Sequence, residues 1–235
     1  MFFAGMVLSP WQSVISALML LAVIVFGVFM TLTMSRFLSK TFLKGMPSSF
    51  ALELPPYRKP QIGKVIIRSI LDRTLFVLGR AAAVAAPAGL VIWLLSNIVV
   101  GDATLLAHCT EFLDPFARLL GLDGVILMAF ILGFPANEIV IPIMLMAYMS
   151  TGSMMDYTSL SELKTLLISN GWTWLTAVCT MLFSLLHFPC ATTCWTIKKE
   201  TKSLKWTALA FFLPTITGVI LCFIVASISR LFFFV

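Results

Sequence analysis

Charge is what this sequence has least of: Asp, Glu, Lys and Arg make up 11% of its 235 residues, against 60% hydrophobic residues and a mean hydropathy of +1.03. A soluble domain carries about 25% charged residues, so this composition excludes one and implies an all-α integral membrane protein. Recognisable catalytic motifs are missing too. No Gly-x-x-x-x-Gly-Lys-Ser/Thr run occurs to cradle a phosphate, no His-Glu-x-x-His pair occurs to bind zinc, and no triad spacing is present. The sequence supports neither an enzyme nor a P-loop nucleotide site. Cys109, Cys179, Cys190, Cys194 and Cys222 lie mostly inside apolar stretches, which does not resemble a secreted disulfide framework, and thiols are expected. The net charge of +6 implies no nucleic-acid partner, because the basic residues flank apolar spans.

At roughly 20 to 25 residues per span plus loops, the length allows about five or six helical segments. The first apolar run, Val14 to Met34, is too long for a signal-peptide core and is followed by no small-residue cleavage site, so it is expected to stay as a helix. After it stand Arg36, Lys40, Lys44, Arg58, Lys59, Lys64, Arg68 and Arg73 against only Glu53 and Asp72, which marks the cytoplasmic side. Leu54-Pro55-Pro56-Tyr57-Arg58-Lys59-Pro60 is too proline-rich for a helix, and Ile62 to Arg73 reads as an amphipathic helix on the membrane surface. A second span, Thr74 to Val100, carries Pro87 as an expected kink. Gly101 to Pro115 has Asp102, Glu111 and Asp114 without Lys or Arg and reads as an outer loop. Lys198, Lys199, Lys202 and Lys205 mark the cytoplasm again, before a last span over Leu204 to Ile228. The chain thus divides into a transmembrane helix (1–35), a basic cytoplasmic loop (36–73) and a membrane domain (74–235).

Two segments of that domain break at the same dipeptide. Gly133-Phe134-Pro135-Ala136-Asn137-Glu138 interrupts one and His187-Phe188-Pro189-Cys190-Ala191-Thr192-Thr193 the other. The flanking apolar runs, Leu119 to Gly133 and Glu138 to Ser150, then Trp172 to Leu186 and Cys190 to Ile197, each fall short of the roughly 20 residues needed to cross. Unsatisfied backbone is costly in lipid, so such breaks survive inside protein or beside a water-filled cavity, and a matched pair carrying cation-binding groups reads as a transport pathway. If both segments crossed fully, the 198–205 loop would fall outside, against its charge. One segment is therefore expected to be re-entrant, with residues 119–150 preferred as a hairpin entering from the outer side; a single kinked crossing stays open. The shared Phe-Pro is too short a match to establish an internal repeat.

Gly133, Pro135 and Pro189 shape the breaks, and the residues around them carry the chemistry. Asn137 reads as a helix N-cap and Glu138 as a carboxylate at the positive end of the helix dipole. An ionisable residue at membrane depth also reads as part of a pathway, and with Asn137 it could hold a divalent cation transiently. His187, Cys190 and Cys194 share a face if helical geometry persists, and imidazole, thiolate and carboxylate together suit a transition metal. Cysteines at such positions also pack as small apolar residues, and a bond from His187 to backbone is an equal reading. Thr192 and Thr193 can cap the following half-helix or bond its carbonyls, and Thr193 is included among the candidate ligands. Met144, Met146, Met149, Met154 and Met155 read as packing residues rather than copper ligands. His108-Cys109-Thr110-Glu111 is a low-specificity metal signal.

Glu53-Leu54-Pro55-Pro56-Tyr57-Arg58, Gly133-Phe134-Pro135-Ala136-Asn137-Glu138, and Pro189-Cys190-Ala191-Thr192-Thr193 followed by Ile197-Lys198-Lys199-Glu200 and Lys205-Trp206 closely resemble, in that order, the C-terminal membrane half of ferrous iron transport protein B (FeoB). Residues from about 74 onward resemble the family's second gate, or nucleoside-recognition, region. The resemblance implies a prokaryotic inner-membrane subunit for iron(II) uptake, with Fe2+ as transported ion and no tightly bound cofactor. It places Asn137 and Glu138 at the gate position and Cys190 at the family's Pro-Cys position; His187 and Cys194 fall outside its motifs. Full-length members carry a GTP-binding domain and a first gate region that this sequence lacks. The implied partners beyond the lipid bilayer are a GTP-binding, first-gate FeoB-like chain, a small cytosolic FeoA-like protein, or further copies of the chain itself. The competing expectations are a non-transporting scaffold of the same fold and a carrier of another divalent metal or a nucleoside.

Overall fold

A computed structural model describes residues 12–41, 63, 64, 67, 75–149 and 160–233. The Pro-rich stretch at 54–60, most of the expected surface helix at 62–73, and Met154 and Met155 lie outside the described residues. The helices are α1 (Gln12–Thr41), α2 (Phe76–Asn97), α3 (Leu105–Leu119), α4 (Gly124–Leu132), α5 (Val140–Met149), α6 (Leu160–Ser169), α7 (Trp174–Leu186), α8 (Ala191–Thr201) and α9 (Leu204–Phe233). A two-stranded antiparallel ribbon, β1 (Val99–Val100) and β2 (Ala103–Thr104), joins α2 to α3. Val14–Thr41, Trp174–Thr201 and Leu204–Phe232 are each long and apolar enough to cross a membrane; Ala81–Asn97, within α2, is apolar but shorter. The all-α membrane class holds, and the exposed surface is apolar as lipid requires, with Leu20, Phe29 and Leu32 of α1 each more than 60% exposed.

Gly101 to Pro115, expected from its charge to be a loop, is largely helical. Thr104 caps α3 by accepting the Ala107 N–H at 3.2 Å, and one face of the helix buries Leu106 and Ala117. Amphipathic periodicity outweighed the acidic loop signal here, and Pro115 is accommodated inside the helix. The first half-span accordingly starts at Gly124, not Leu119. Helices α3 and α4 meet at 109°. They cross so closely that a Cβ on Gly124 would lie 2.0 Å from the Thr110 carbonyl oxygen, and Asp114 Oδ1 accepts the Gly124 N–H at 3.1 Å.

The ends of α4 and α5 decide the path of the first broken segment. Asp123 caps α4 by accepting the Ile126 N–H at 2.7 Å, and its other carboxylate oxygen accepts the phenol of Tyr148, in the last turn of α5. Trp172, just ahead of α7, donates its indole N–H to the Tyr148 oxygen at 2.7 Å. The start of α4, the end of α5 and the start of α7 therefore lie together, and α4 and α5 form an antiparallel hairpin. Helix α4 has nine residues, about 14 Å at 1.5 Å per residue, close to half of a bilayer core of roughly 30 Å. Between the arms, a Cβ on Gly133 would lie 2.4 Å from Val140 Cγ2 and 2.9 Å from the Ala129 carbonyl oxygen. Only glycine lets the arms close.

The second broken segment is different. Helices α7 and α8 run on from one another as a single span of 28 residues despite the break at 187–190. They make one interrupted crossing rather than two half-spans. The core lies where hairpin and crossing pack, with Ile126, Phe130, Ile143, Met146, Cys179 and Cys222 fully buried.

Candidate functional site

The two breaks touch. The Ala191 N–H, first amide of α8, donates to the Phe134 carbonyl of the first break at 2.8 Å. Both groups are left over by local geometry: helix α8 has no intrahelical partner for its first amides, and the Phe134 carbonyl precedes Pro135, where helical conformation is disfavoured. Each break satisfies backbone that the other leaves open.

Around that bond, the predicted residues fall into distinct environments. Cys190 occupies the cap position of α8 in extended conformation, and its sulfur lies 3.1 Å from the hydroxyls of both Thr192 and Thr193. Those threonines face the sulfur; no side chain caps the helix, contrary to their expected capping role. Cys194 turns its thiol back to the Pro189 carbonyl at 3.5 Å. His187 ends α7 with its Nδ1 2.8 Å from the Ser184 carbonyl, while Nε2 is buried with no partner among the described residues. Its ring sits among Phe130, Phe183 and Phe188, with centroids 5.1, 6.2 and 5.3 Å away. Nε2, the nitrogen a metal would use, is therefore shut away from solvent in a ring surrounded by phenyl groups.

Asn137 does not cap a helix. The cap position belongs to Ala136, which uses no side chain, and Asn137 opens the 3-10 turn with Glu138 next to it. Both are exposed and make no side-chain hydrogen bond or ion pair with described residues. A residue that spends its amide on capping would be unavailable to a ligand; Asn137 is available. Gly133 and Pro135 form the hairpin tip, and Pro189 lies between the extended His187 and Cys190.

Among the described residues no three His, Cys, Asp or Glu side chains converge as a metal cage. The site offers scattered oxygen and sulfur donors on two adjoining breaks. A neighbouring cavity of about 460 Å³, bordered by Leu20, Phe130, Met144, Leu167 and Leu185, is almost wholly apolar and unsuited to an ion. Met144 and Met146 are buried as packing residues, and His108 bonds its ring nitrogen to the Val100 carbonyl at 2.9 Å, apart from the breaks.

Two features escape a sequence reading based on ligands. One is a ring cluster at the junction, in which Phe134 and Phe188 meet Phe211 of α9. The other is the chain of Asp123, Tyr148 and Trp172. A usable signal existed for the second: Gly121-Leu122-Asp123 and Gly171-Trp172-Thr173 both place a left-handed glycine two residues ahead of a helix cap.

Comparison with known proteins places the architecture. Residues 20–72 match the family model described as ferrous iron transport protein B C terminus, and residues 78–204 match the Gate model, described as nucleoside recognition. The chain is similar to the Fe(2+) transporter FeoB of Staphylococcus aureus strain MSSA476, 33% identical over 226 residues, covering 92% of this chain and 32% of the relative. The Synechocystis Fe(2+) transporter FeoB is 28% identical over 195 residues, with 82% and 30% covered. That of Leptospira interrogans strain Fiocruz L1-130 is 25% identical over 243 residues, with 93% and 34% covered. The chain thus spans about a third of the length of the curated relatives it matches. No solved structure matches it significantly.

Proposed function

Since the chain belongs to the ferrous iron transport protein B family, as its C-terminal membrane part with a Gate region, we propose that it is a cell-membrane subunit for iron(II) uptake whose two breaks line the permeation route. The observation that carries this reading is the bond from Ala191 N–H to the Phe134 carbonyl, which joins the breaks about half a bilayer from the hairpin's open end. Asn137 and Glu138 supply oxygen donors on one side of that junction, and Cys190 supplies sulfur on the other. Iron(II) enters partly dehydrated and exchanges among these groups. It leaves because no closed cage retains it, the balance that conduction requires.

A GTP-binding chain with a first gate is the partner we propose for energy or gating. In this chain the route ends near Lys198, Lys199, Lys202 and Lys205, the surface such a cytoplasmic partner would meet. Purified chain reconstituted in lipid vesicles, with and without that partner, tests the reading through iron(II) flux. Glu138→Ala and Cys190→Ser are expected to lower flux at least about tenfold, the loss of roughly 1.4 kcal/mol of barrier stabilisation. Wild-type flux in both variants would reject the assignment. Manganese(II), zinc(II) and nucleosides serve as competing cargoes; competition by nucleosides alone would replace iron by the cargo in the Gate model's description.

A further inference from the structure

Three rings, not ligands, fill the junction of the two breaks. Phe134 and Phe188 have centroids 5.6 Å apart, and Phe211 lies 5.7 Å from Phe134 and 5.0 Å from Phe188, stacked on the latter at 15°. Each ring touches the other two. One comes from the re-entrant hairpin, one from the crossing, and one from α9.

Helix packing sets the position of Phe211. Gly218, Cys222, Ala226 and Ser229 are the buried positions of α9 and recur at helical spacing. A Cβ on Gly218 would lie 3.1 Å from the Leu186 carbonyl oxygen, so α9 rests directly on the last turn of α7, beside the second break. Phe211, seven residues before Gly218, continues that face. Between them stands Pro214, inside the helix, where a missing backbone hydrogen bond makes a bending point. The arm from Leu204 to Leu213 therefore carries Phe211 between a proline hinge and the basic 198–205 connection.

Packed phenyl rings exclude water, and hydrophobic constrictions close ion paths in this way. We propose that Phe134, Phe188 and Phe211 form an aromatic seal that closes the route between the breaks, with Phe211 as the ring that moves. The proposal rests on the reading that the breaks line a route. It also gives a cytoplasmic partner a mechanical handle, because force on the 198–205 connection acts through the short arm ahead of Pro214.

The test uses the chain in expressing cells and in inside-out vesicles made from them. A membrane-impermeant cationic thiosulfonate is applied to one face at a time, and its adduct at Cys190 is localised by fragmentation mass spectrometry. In the wild-type chain Cys190 is expected to react from one face only. Phe211→Ala is expected to open the other face, raising the rate there by about tenfold or more, since open forms in such equilibria are commonly 0.1–10% populated. Phe211→Trp, which keeps a ring, is expected to restore one-sided labelling. If Phe211→Ala does not fold by thermal melting, Phe211→Leu decides, because it keeps apolar bulk without a ring. One-sided labelling at wild-type rate in the folded ring-less variant would overturn the seal alone. Labelling of the wild-type chain from neither face would overturn the seal and the route together, and labelling from both faces would overturn the seal.

Discussion

Tyr148, at the end of one arm of the re-entrant hairpin, donates its phenol proton to the Asp123 carboxylate that caps the other arm. That single bond holds the start of α4 against the end of α5, so the broken segment folds back on itself as a hairpin. It is tied onward to the crossing helix by the indole of Trp172, so one phenol oxygen links α5 to α4 and to the head of α7.

Tyr148→Phe removes the donor for Asp123 and the acceptor for Trp172 at once. The expected cost is about 1–3 kcal/mol, the penalty for leaving partly buried polar groups short of a partner. Thermal unfolding in detergent checks it, and an unshifted midpoint would show that the latch does not hold the hairpin.

Ala191→Pro isolates the contact between the breaks. Ala191 is the first residue of α8, where proline is tolerated because its missing amide has no intrahelical role. The substitution thus deletes the bond to the Phe134 carbonyl while preserving the helix. A modest stability loss of about 0.5–1.5 kcal/mol is expected, with a larger proportional loss of iron(II) flux.

Gly133→Ala places a methyl group 2.4 Å from Val140 Cγ2 and is expected to cost about 1–3 kcal/mol by overpacking. Gly79→Ala, in α2, has nothing within 4 Å and is expected to be neutral or slightly stabilising. Comparing folded yields of the two variants by size-exclusion chromatography checks the closeness of the hairpin arms.

Met144→Leu and Met146→Leu are expected to leave flux unchanged, with stability costs under about 1.5 kcal/mol, because both side chains are core. Loss of flux at wild-type stability would revive a thioether ligand role.

Composition and the two Phe-Pro dipeptides made the membrane class and the break positions legible, because apolar run length and proline chemistry are local properties. Basic clusters at 36–73 and 198–205 gave the expectation that one segment re-enters, and the hairpin of α4 and α5 has a shape that such a course needs. The course of α3 was less legible: its acidic residues share a helix with a buried stripe of Leu106 and Ala117, and the charge signal hid the periodicity. The roles of Asn137, Thr192 and Thr193 were not legible either. Their cap potential is a property of residue type, whereas the cap positions fell to Ala136 and Cys190 through the geometry of the breaks. Contacts such as Ala191 with Phe134, or Phe211 with both break rings, join residues far apart in sequence and left no local trace.

The most direct measurement is a double-mutant cycle on iron(II) flux, comparing Glu138→Ala, Cys190→Ser and the double variant in vesicles with the partner chain present. If both breaks serve one route, each single variant lowers flux and the double falls well short of the product of the two losses, a coupling of about 0.5–3 kcal/mol. Wild-type flux in either single variant, or losses that multiply independently, would contradict the account.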